Sequence, residues 1–310
     1  ERRSEKSKNR LLTRSFLQVK AMTLATIDIG GTGIKFASLT PDGKILDKAS
    51  TPTPETLEEL LAWLDQRLSE RDYRGIAMSV PGAVHQETGV IEGISAIPYI
   101  HGFSWYEALS HHKLPVHLEN DANCVGLSEL LAHPEIENAA CVVIGTGIGG
   151  AMIVNGKLHR GRHGLGGEFG YMTTIEPAEK LNNWSQLAST GNMVRYVIEK
   201  SGQTDWDGRK VYQEAATGNA LCQEAIEHMN RNLAQGLLNI QYLIDPDVIS
   251  LGGSISQNPD FIKGVQKAVD AFVDRYEEYT IAPVIQACTY QADANLYGAL
   301  VNWLQEENQW

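Results

Sequence analysis

The chain has 310 residues with a formal net charge of −12, and is 43% apolar and 21% charged. That length suits about two domains with a buried core, and the composition is that of a globular protein. The acidic balance argues against a broad nucleic-acid or membrane-binding face, and no apolar run approaches transmembrane length. The charge is uneven: residues 1–22 carry seven Lys/Arg against two Glu, a sum of +5, leaving −17 for the rest. This basic segment reads as an extension, with a short nucleic-acid arm as the alternative. Four scattered cysteines, Cys124, Cys141, Cys222 and Cys288, form no CxxC or CxC pair. That pattern predicts reduced thiols, a cytoplasmic protein and no structural zinc.

Thr23–Thr40 (TLATIDIGGTGIKFASLT) is a β-run that breaks at glycines and resumes, a hairpin pattern. Asp42-Gly43 then turns the chain into Lys44–Ser50. Leu57, Leu60, Leu61, Leu64 and Leu68 fall at helical spacing within Thr56–Arg71, after Pro54 and Glu55. Gly75–Val80 reads as a buried strand ending at Pro81-Gly82. Val116–Glu119 is a short strand leading into Asn120-Asp121, and Ala122–Ala132 a helix. Ala139–Gly156 (AACVVIGTGIGGAMIVNG) repeats the hairpin pattern about 115 residues after the first. A loop-rich stretch, Arg160–Asn183, follows, then helical patterns over Asn192–Lys200 and Glu214–Leu243. Asp247–Leu251 is a buried strand closed by Gly252-Gly253. Helix Phe261–Val273, strand Ala282–Ala287 and a final helix Ala294–Gln305 complete the chain. Strands and helices alternate in both halves, which gives an α/β class.

A tight turn of backbone N–H groups without obstructing side chains can wrap an anion such as phosphate. Two such turns suggest a duplicated architecture holding one nucleotide between two halves. Gly145, Gly147 and Gly150 formally match GxGxxG, but that fingerprint needs a helix after the glycines, and Ala151–Val154 reads as a strand. No Walker A motif, GxxxxGK[ST], occurs.

IDIGGTGIK, the triplet Glu119–Asp121, GTGIGG, LGGEFGY at Leu165–Tyr171 and SLGGSI at Ser250–Ile255 occur in that order. Together they resemble the ROK family of sugar kinases, repressors and open reading frames, within the actin/hexokinase/Hsp70 superfamily, over essentially Thr23–Gln305. The resemblance implies a two-domain α/β fold with duplicated β-hairpin phosphate loops. Residues 23–121, completed by the C-terminal helix 289–310, would form the small domain and 122–288 the large one.

The resemblance also implies roles. Asp121, at the end of a buried strand, is the catalytic base that takes a proton from a sugar hydroxyl; by itself it also suits a helix N-cap. Asn120 hydrogen-bonds sugar hydroxyls, though alone it also suits a turn. Glu168 accepts from two adjacent sugar hydroxyls, and Pro81-Gly82 lie on the sugar-facing side. Asp28 stands near Mg²⁺, through water, with ATP as the nucleotide. Gly30, Gly31 and Thr32 form the first phosphate turn, and Lys35 adds positive charge if it points inward. Gly145, Thr146 and Gly147 form the second turn, and Gly252 and Gly253 lie against adenosine. A homodimer is the expected assembly.

Departures fall on sugar recognition. Many ROK kinases have His where this chain has Tyr171, followed by a zinc-binding cysteine cluster; Met172–Ser189 contains neither Cys nor His. Aligning on Leu187-Ala188-Ser189 puts Ser185 where a sugar-contacting Glu usually stands. AIPYIHGFSW, ending at Trp105, lacks the usual Asn-Leu-Pro loop. The pattern resembles the zinc-free β-glucoside kinase branch, which phosphorylates the 6-hydroxyl of a hexose unit in a β-glucoside such as cellobiose. Tyr99, Phe103, Trp105, Tyr171 and Trp184 are candidates either to stack on an extra sugar or to fill the core. Alternatives are a glucokinase, an N-acetylmannosamine kinase or a sugar-sensing regulator without a DNA-binding domain. His101, His111, His112, His159 and His163 match no motif and are expected mostly at the surface.

Overall fold

The first strand, β1 (Leu24–Ile29), is buried along its whole length. It is flanked on both sides, by the antiparallel β2 (Gly33–Leu39) and the parallel β4 (Gly75–Val80). The computed structural model describes residues 23–175, 181–275 and 278–310; the basic segment 1–22 lies outside them. They divide into two units, one running to Asn120 and including Ala299–Trp310, the other Asp121–Gly298.

In the first unit β3 (Ile45–Pro52) and β7 (Val116–Asn120) complete a sheet of order β3-β2-β1-β4-β7. Helix α1 (Leu57–Ser69) starts where the Thr56 hydroxyl accepts the Glu59 N–H, and it buries Leu60, Leu64 and Leu68. A small hairpin absent from the sequence reading, β5 (Ala83–His85) with β6 (Val90–Glu92), precedes the one-turn helix α2 (Trp105–Ala108).

The second unit repeats the plan. It opens with α3 (Asp121–Ala132) and contains β8 (Ala139–Ile144), β9 (Ile148–Val154) and β10 (Lys157–Leu158). The predicted loop region Arg160–Asn183 also carries a short ladder, β11 (Thr173–Ile175) with β12 (Leu181–Asn183). Helices α4 (Trp184–Ala188), α5 (Thr190–Ser201), α6 (Gly208–Ala216) and α7 (Ala220–Ile244) follow. After β13 (Val248–Gly252) come α8 (Pro259–Val273) and β14 (Ile285–Ala287), and the last helix, α9 (Ala294–Glu306), starts in this unit and belongs to the first from Ala299 on. The sheet order is β10-β9-β8-β13-β14, with β8–β9 antiparallel and β13 parallel to both β8 and β14. This matches the first sheet strand for strand. The helical pattern Glu214–Leu243 proves to be two helices: the chain breaks at Thr217-Gly218, and Asn219 caps α7 by accepting from the Leu221 and Cys222 N–H groups. Among the described residues no helix is long and apolar enough to cross a membrane.

Candidate active site

Asp28 and Lys35 are register partners across the β1–β2 hairpin, so their side chains share one face. Lys35 Nζ lies 3.1 Å from Asp28 Oδ2, and the acid is nearly buried. Lys35 thus points to the acid beside the glycine turn. That turn is braced at both ends: the Gly30 N–H donates to Gly33 O at 3.1 Å, and the Thr53 hydroxyl to Gly30 O at 2.6 Å. At the ends of β4 and β7, Asn120 Nδ2 donates to Gly82 O at 3.1 Å, bringing two predicted sugar-site residues together. The buried Glu119 carboxylate accepts the Asn120 N–H at 2.9 Å and fixes the backbone there.

In the second unit Asp121 is the first residue of α3, and its Oδ1 accepts the Ala122 N–H at 2.8 Å. Glu168 follows Gly167, whose φ of +89° and closeness to the Ala151 Cα (2.8 Å from a Cβ placed there) leave room only for glycine. Burial, and then the charge of Asp121, push the Glu168 carboxyl above its usual range. Two predicted carboxylates therefore sense each other. The turn Gly145–Gly147 closes through Gly145 N–H to Gly147 O at 2.9 Å. It rests on the first turn of α5, where the Gly191 N–H donates to Gly145 O at 3.1 Å. A helix N-terminus beneath a glycine turn is a favourable setting for an anion. Strand β9 continues directly from the turn, antiparallel to β8, so the dinucleotide geometry is indeed absent.

Beyond β13, Gly253 has φ +86°, and a Cβ there would lie 2.1 Å from Ile144 O. The residues after it border a cavity of about 550 Å³ lined also by Thr190, Arg209 and Tyr212. The hydroxyls of Thr190 and Tyr212 are buried without a hydrogen-bond partner. Buried hydroxyls normally find partners, so an unpaired pair on a cavity wall marks a place for a polar ligand. Burial, then the charge of Asp260, raises the Tyr212 phenol, which stays a neutral donor. No sequence motif singled out Thr190, Arg209 or Tyr212.

Residues 24–306 match the model of the ROK family. The chain belongs to that family. The β-glucoside kinase of Listeria monocytogenes is 34% identical over 93% of this chain and 99% of its own. A ROK family protein from Streptococcus pneumoniae TIGR4, crystallised in complex with sucrose, is 88% identical over 93% of this chain and 100% of its own, with TM-score 0.91. The ROK hexokinase of Thermus thermophilus is 25% identical over 93% of this chain and 100% of its own, with TM-score 0.80. The protein is an ATP-dependent carbohydrate kinase with the actin/hexokinase-like two-domain fold of ROK kinases.

Trp105 and Trp184 are 0% and 1% exposed, and their indole N–H groups donate to Ile100 O and Asn232 O. Both are core, so neither stacks on a sugar. Phe103 tilts against Trp105, and the Tyr99 hydroxyl donates to Pro54 O. Tyr171, by contrast, is 72% exposed. The Ser185 hydroxyl is turned to backbone, accepting the Ile148 N–H at 2.9 Å and donating to Ile148 O at 3.3 Å.

Proposed function

We propose that this ROK kinase transfers the γ-phosphoryl of ATP to the 6-hydroxyl of a hexose unit in a β-glucoside such as cellobiose. The observation that carries the reading is the Asp121–Glu168 carboxylate pair, one member held at the start of α3 and the other raised in proton affinity. Phosphoryl transfer needs in-line positioning, charge neutralisation and a proton acceptor, with little covalent help. Asp121 is the general base, accepting the proton of the attacking hydroxyl as the bond to phosphorus forms. Glu168 accepts hydrogen bonds from neighbouring sugar hydroxyls, and Asn120 with Gly82 adds a second polar contact. The Gly30–Thr32 and Gly145–Gly147 turns offer backbone N–H groups to the phosphates, helped by the Lys35 charge and the α5 N-terminus. Gly252 and Gly253 give the adenosine close access to the backbone, with Thr190 and Tyr212 supplying hydroxyls in the cavity beyond.

The family's magnesium fits the residues present: Asp28 is one nearly buried carboxylate beside the turn, and that ion is commonly held by one or two carboxylates and several waters. When bound with ATP it supplies charge neutralisation at the phosphates.

Preference for a glycoside rests on two features. Ser185 is committed to the backbone of β9 rather than standing as a carboxylate, and Tyr171 is exposed. The relative bound to sucrose, a disaccharide whose glucose has no free anomeric hydroxyl, supports the same preference. The reading includes a cytoplasmic homodimer, checked by light scattering. Initial rates of ADP release with glucose, N-acetylmannosamine, fructose, cellobiose and sucrose under saturating MgATP test the substrate class. Highest kcat/KM on cellobiose is the expected result. A preference for free monosaccharides overturns the glycoside reading, and a preference for sucrose overturns the β-linkage.

A further inference from the structure

Two histidines that match no motif meet an aspartate of α1 in the first unit. His111 Nε2 lies 3.0 Å and His112 Nε2 2.7 Å from the same oxygen, Asp65 Oδ1. Their rings sit 4.1 Å apart, and all three potential ligand atoms fall within 4.8 Å of one another. We propose that Asp65, His111 and His112 form a divalent transition-metal site, best suited to zinc, that clips α1 to the segment entering β7.

The donor set is one that zinc favours: two imidazole nitrogens and a carboxylate oxygen. Ligands about 2.0–2.1 Å from a tetrahedral zinc stand about 3.3 Å apart, so the two nitrogen–oxygen spacings of 3.0 and 2.7 Å need to open by about 0.3 and about 0.6 Å. Both supporting elements are anchored from inside. Leu64 and Leu68 of α1 are in the core, and the 3₁₀ turn Ser110–His112 follows the fully buried Leu109. The turn is closed by the Lys113 N–H donating to Ser110 O, with Lys113 at φ +57°. The ligands are therefore presented from two pre-set backbones. Side-chain exposures of 16% for His112, 55% for His111 and 44% for Asp65 leave an open side for water as the fourth ligand. The lack of a cysteine pair pointed away from zinc at the sequence level; here the ligands come from residues 46 positions apart. The site shares no residue with the phosphate turns and does not depend on the sugar reading.

The test uses the full chain, stripped with EDTA and desalted, in equilibrium dialysis against zinc chloride at neutral pH. The comparison is the His111→Gln/His112→Gln double variant. All three residues reach the surface, so the variants are expected to fold, which apo-state circular dichroism checks. Wild type is expected to retain one more zinc per chain than the double variant, and Asp65→Asn to weaken that zinc at least tenfold. Zinc should raise the melting temperature of the wild type and not that of the double variant, and cobalt should give the visible absorption of a four-coordinate ion only with intact ligands. Two-ligand pairs such as His117–Glu307 are common to both proteins and cancel in the comparison. Equal zinc stoichiometry with an equal thermal response overturns the proposal and leaves the cluster a pair of imidazole–carboxylate hydrogen bonds.

Discussion

Replacing Asp121 with asparagine isolates the proton-accepting role. Asparagine keeps the volume and an amide oxygen able to take the Ala122 N–H that Asp121 Oδ1 now accepts at 2.8 Å. What disappears is the proton acceptor. Loss of a general base costs ~10²–10⁴ in rate, about 3–5 kcal/mol of transition-state stabilisation. The neighbourhood narrows that range. Glu168, whose carboxyl burial still raises once the Asp121 charge is gone, remains as a fallback acceptor, so the single variant should sit near the ~10² end. Adding Glu168→Gln should carry the loss toward ~10⁴. Asp121→Ala also deletes the acceptor for the Ala122 N–H, for which a further loss of ~1 kcal/mol of stability is expected, visible in melting and not in kcat. The assay is coupled ADP release under saturating sugar and MgATP, with the KM for ATP followed separately. A kcat within tenfold of wild type refutes the base assignment, as does a rate loss tracking a collapse in melting temperature.

Three other perturbations follow from the same geometry. Because the Glu168 carboxyl is raised above the ordinary glutamate value of 4.5, its contribution to stability is fully present below that pH and is lost as pH rises through the folded value. Glu168→Gln should thus melt progressively higher than wild type as pH climbs above 4.5, while the sugar KM increases; parallel melting curves across pH refute the coupling. Tyr212→Phe removes a buried hydroxyl that has no protein partner, so the melting temperature should hold or rise. If that hydroxyl meets the nucleotide, the KM for ATP should rise about 2–12-fold, the equivalent of 0.5–1.5 kcal/mol. Gly253→Ala forces a φ of +86° and a Cβ 2.1 Å from Ile144 O. A cost of ~1–3 kcal/mol should appear in calorimetry at about 2–4 °C per kcal/mol, together with weaker ATP binding.

The hairpins were legible because their signal is local: β-branched runs on both sides of glycines specify strand, turn and strand within eighteen residues. The buried strands Gly75–Val80 and Asp247–Leu251 were legible for the same reason, and the matching order of the two sheets follows from reading both halves alike. What stayed open in the sequence was whatever depends on how the folded chain packs. Trp105 and Trp184 carry the same side chain whether they stack on a sugar or fill a core, and only the packed chain put their N–H groups on Ile100 O and Asn232 O. The break at Gly218 was hidden because apolar periodicity resumes on its far side. Thr190 and Tyr212 sit in ordinary helical sequence, and the chain alone gives no sign that their hydroxyls go unpaired. Adjacent histidines signal nothing until a helix 46 residues earlier brings Asp65 to them.

Tyr171 and Ser185 belong to one packing arrangement. A Cβ on Gly170 would meet Ser185 Oγ at 2.4 Å, so the Phe169–Tyr171 turn lies directly on the serine. The serine fits because its short side chain folds back to hold both polar groups of Ile148. A glutamate at that position adds a methylene and a carboxylate, which would crowd the turn that lies against the serine. The small residue at 185 and the exposed tyrosine at 171 therefore support each other: one lets the turn settle, and the other is what the settled turn displays. The seating of this loop on β9 therefore depends on both positions together rather than on either side chain alone.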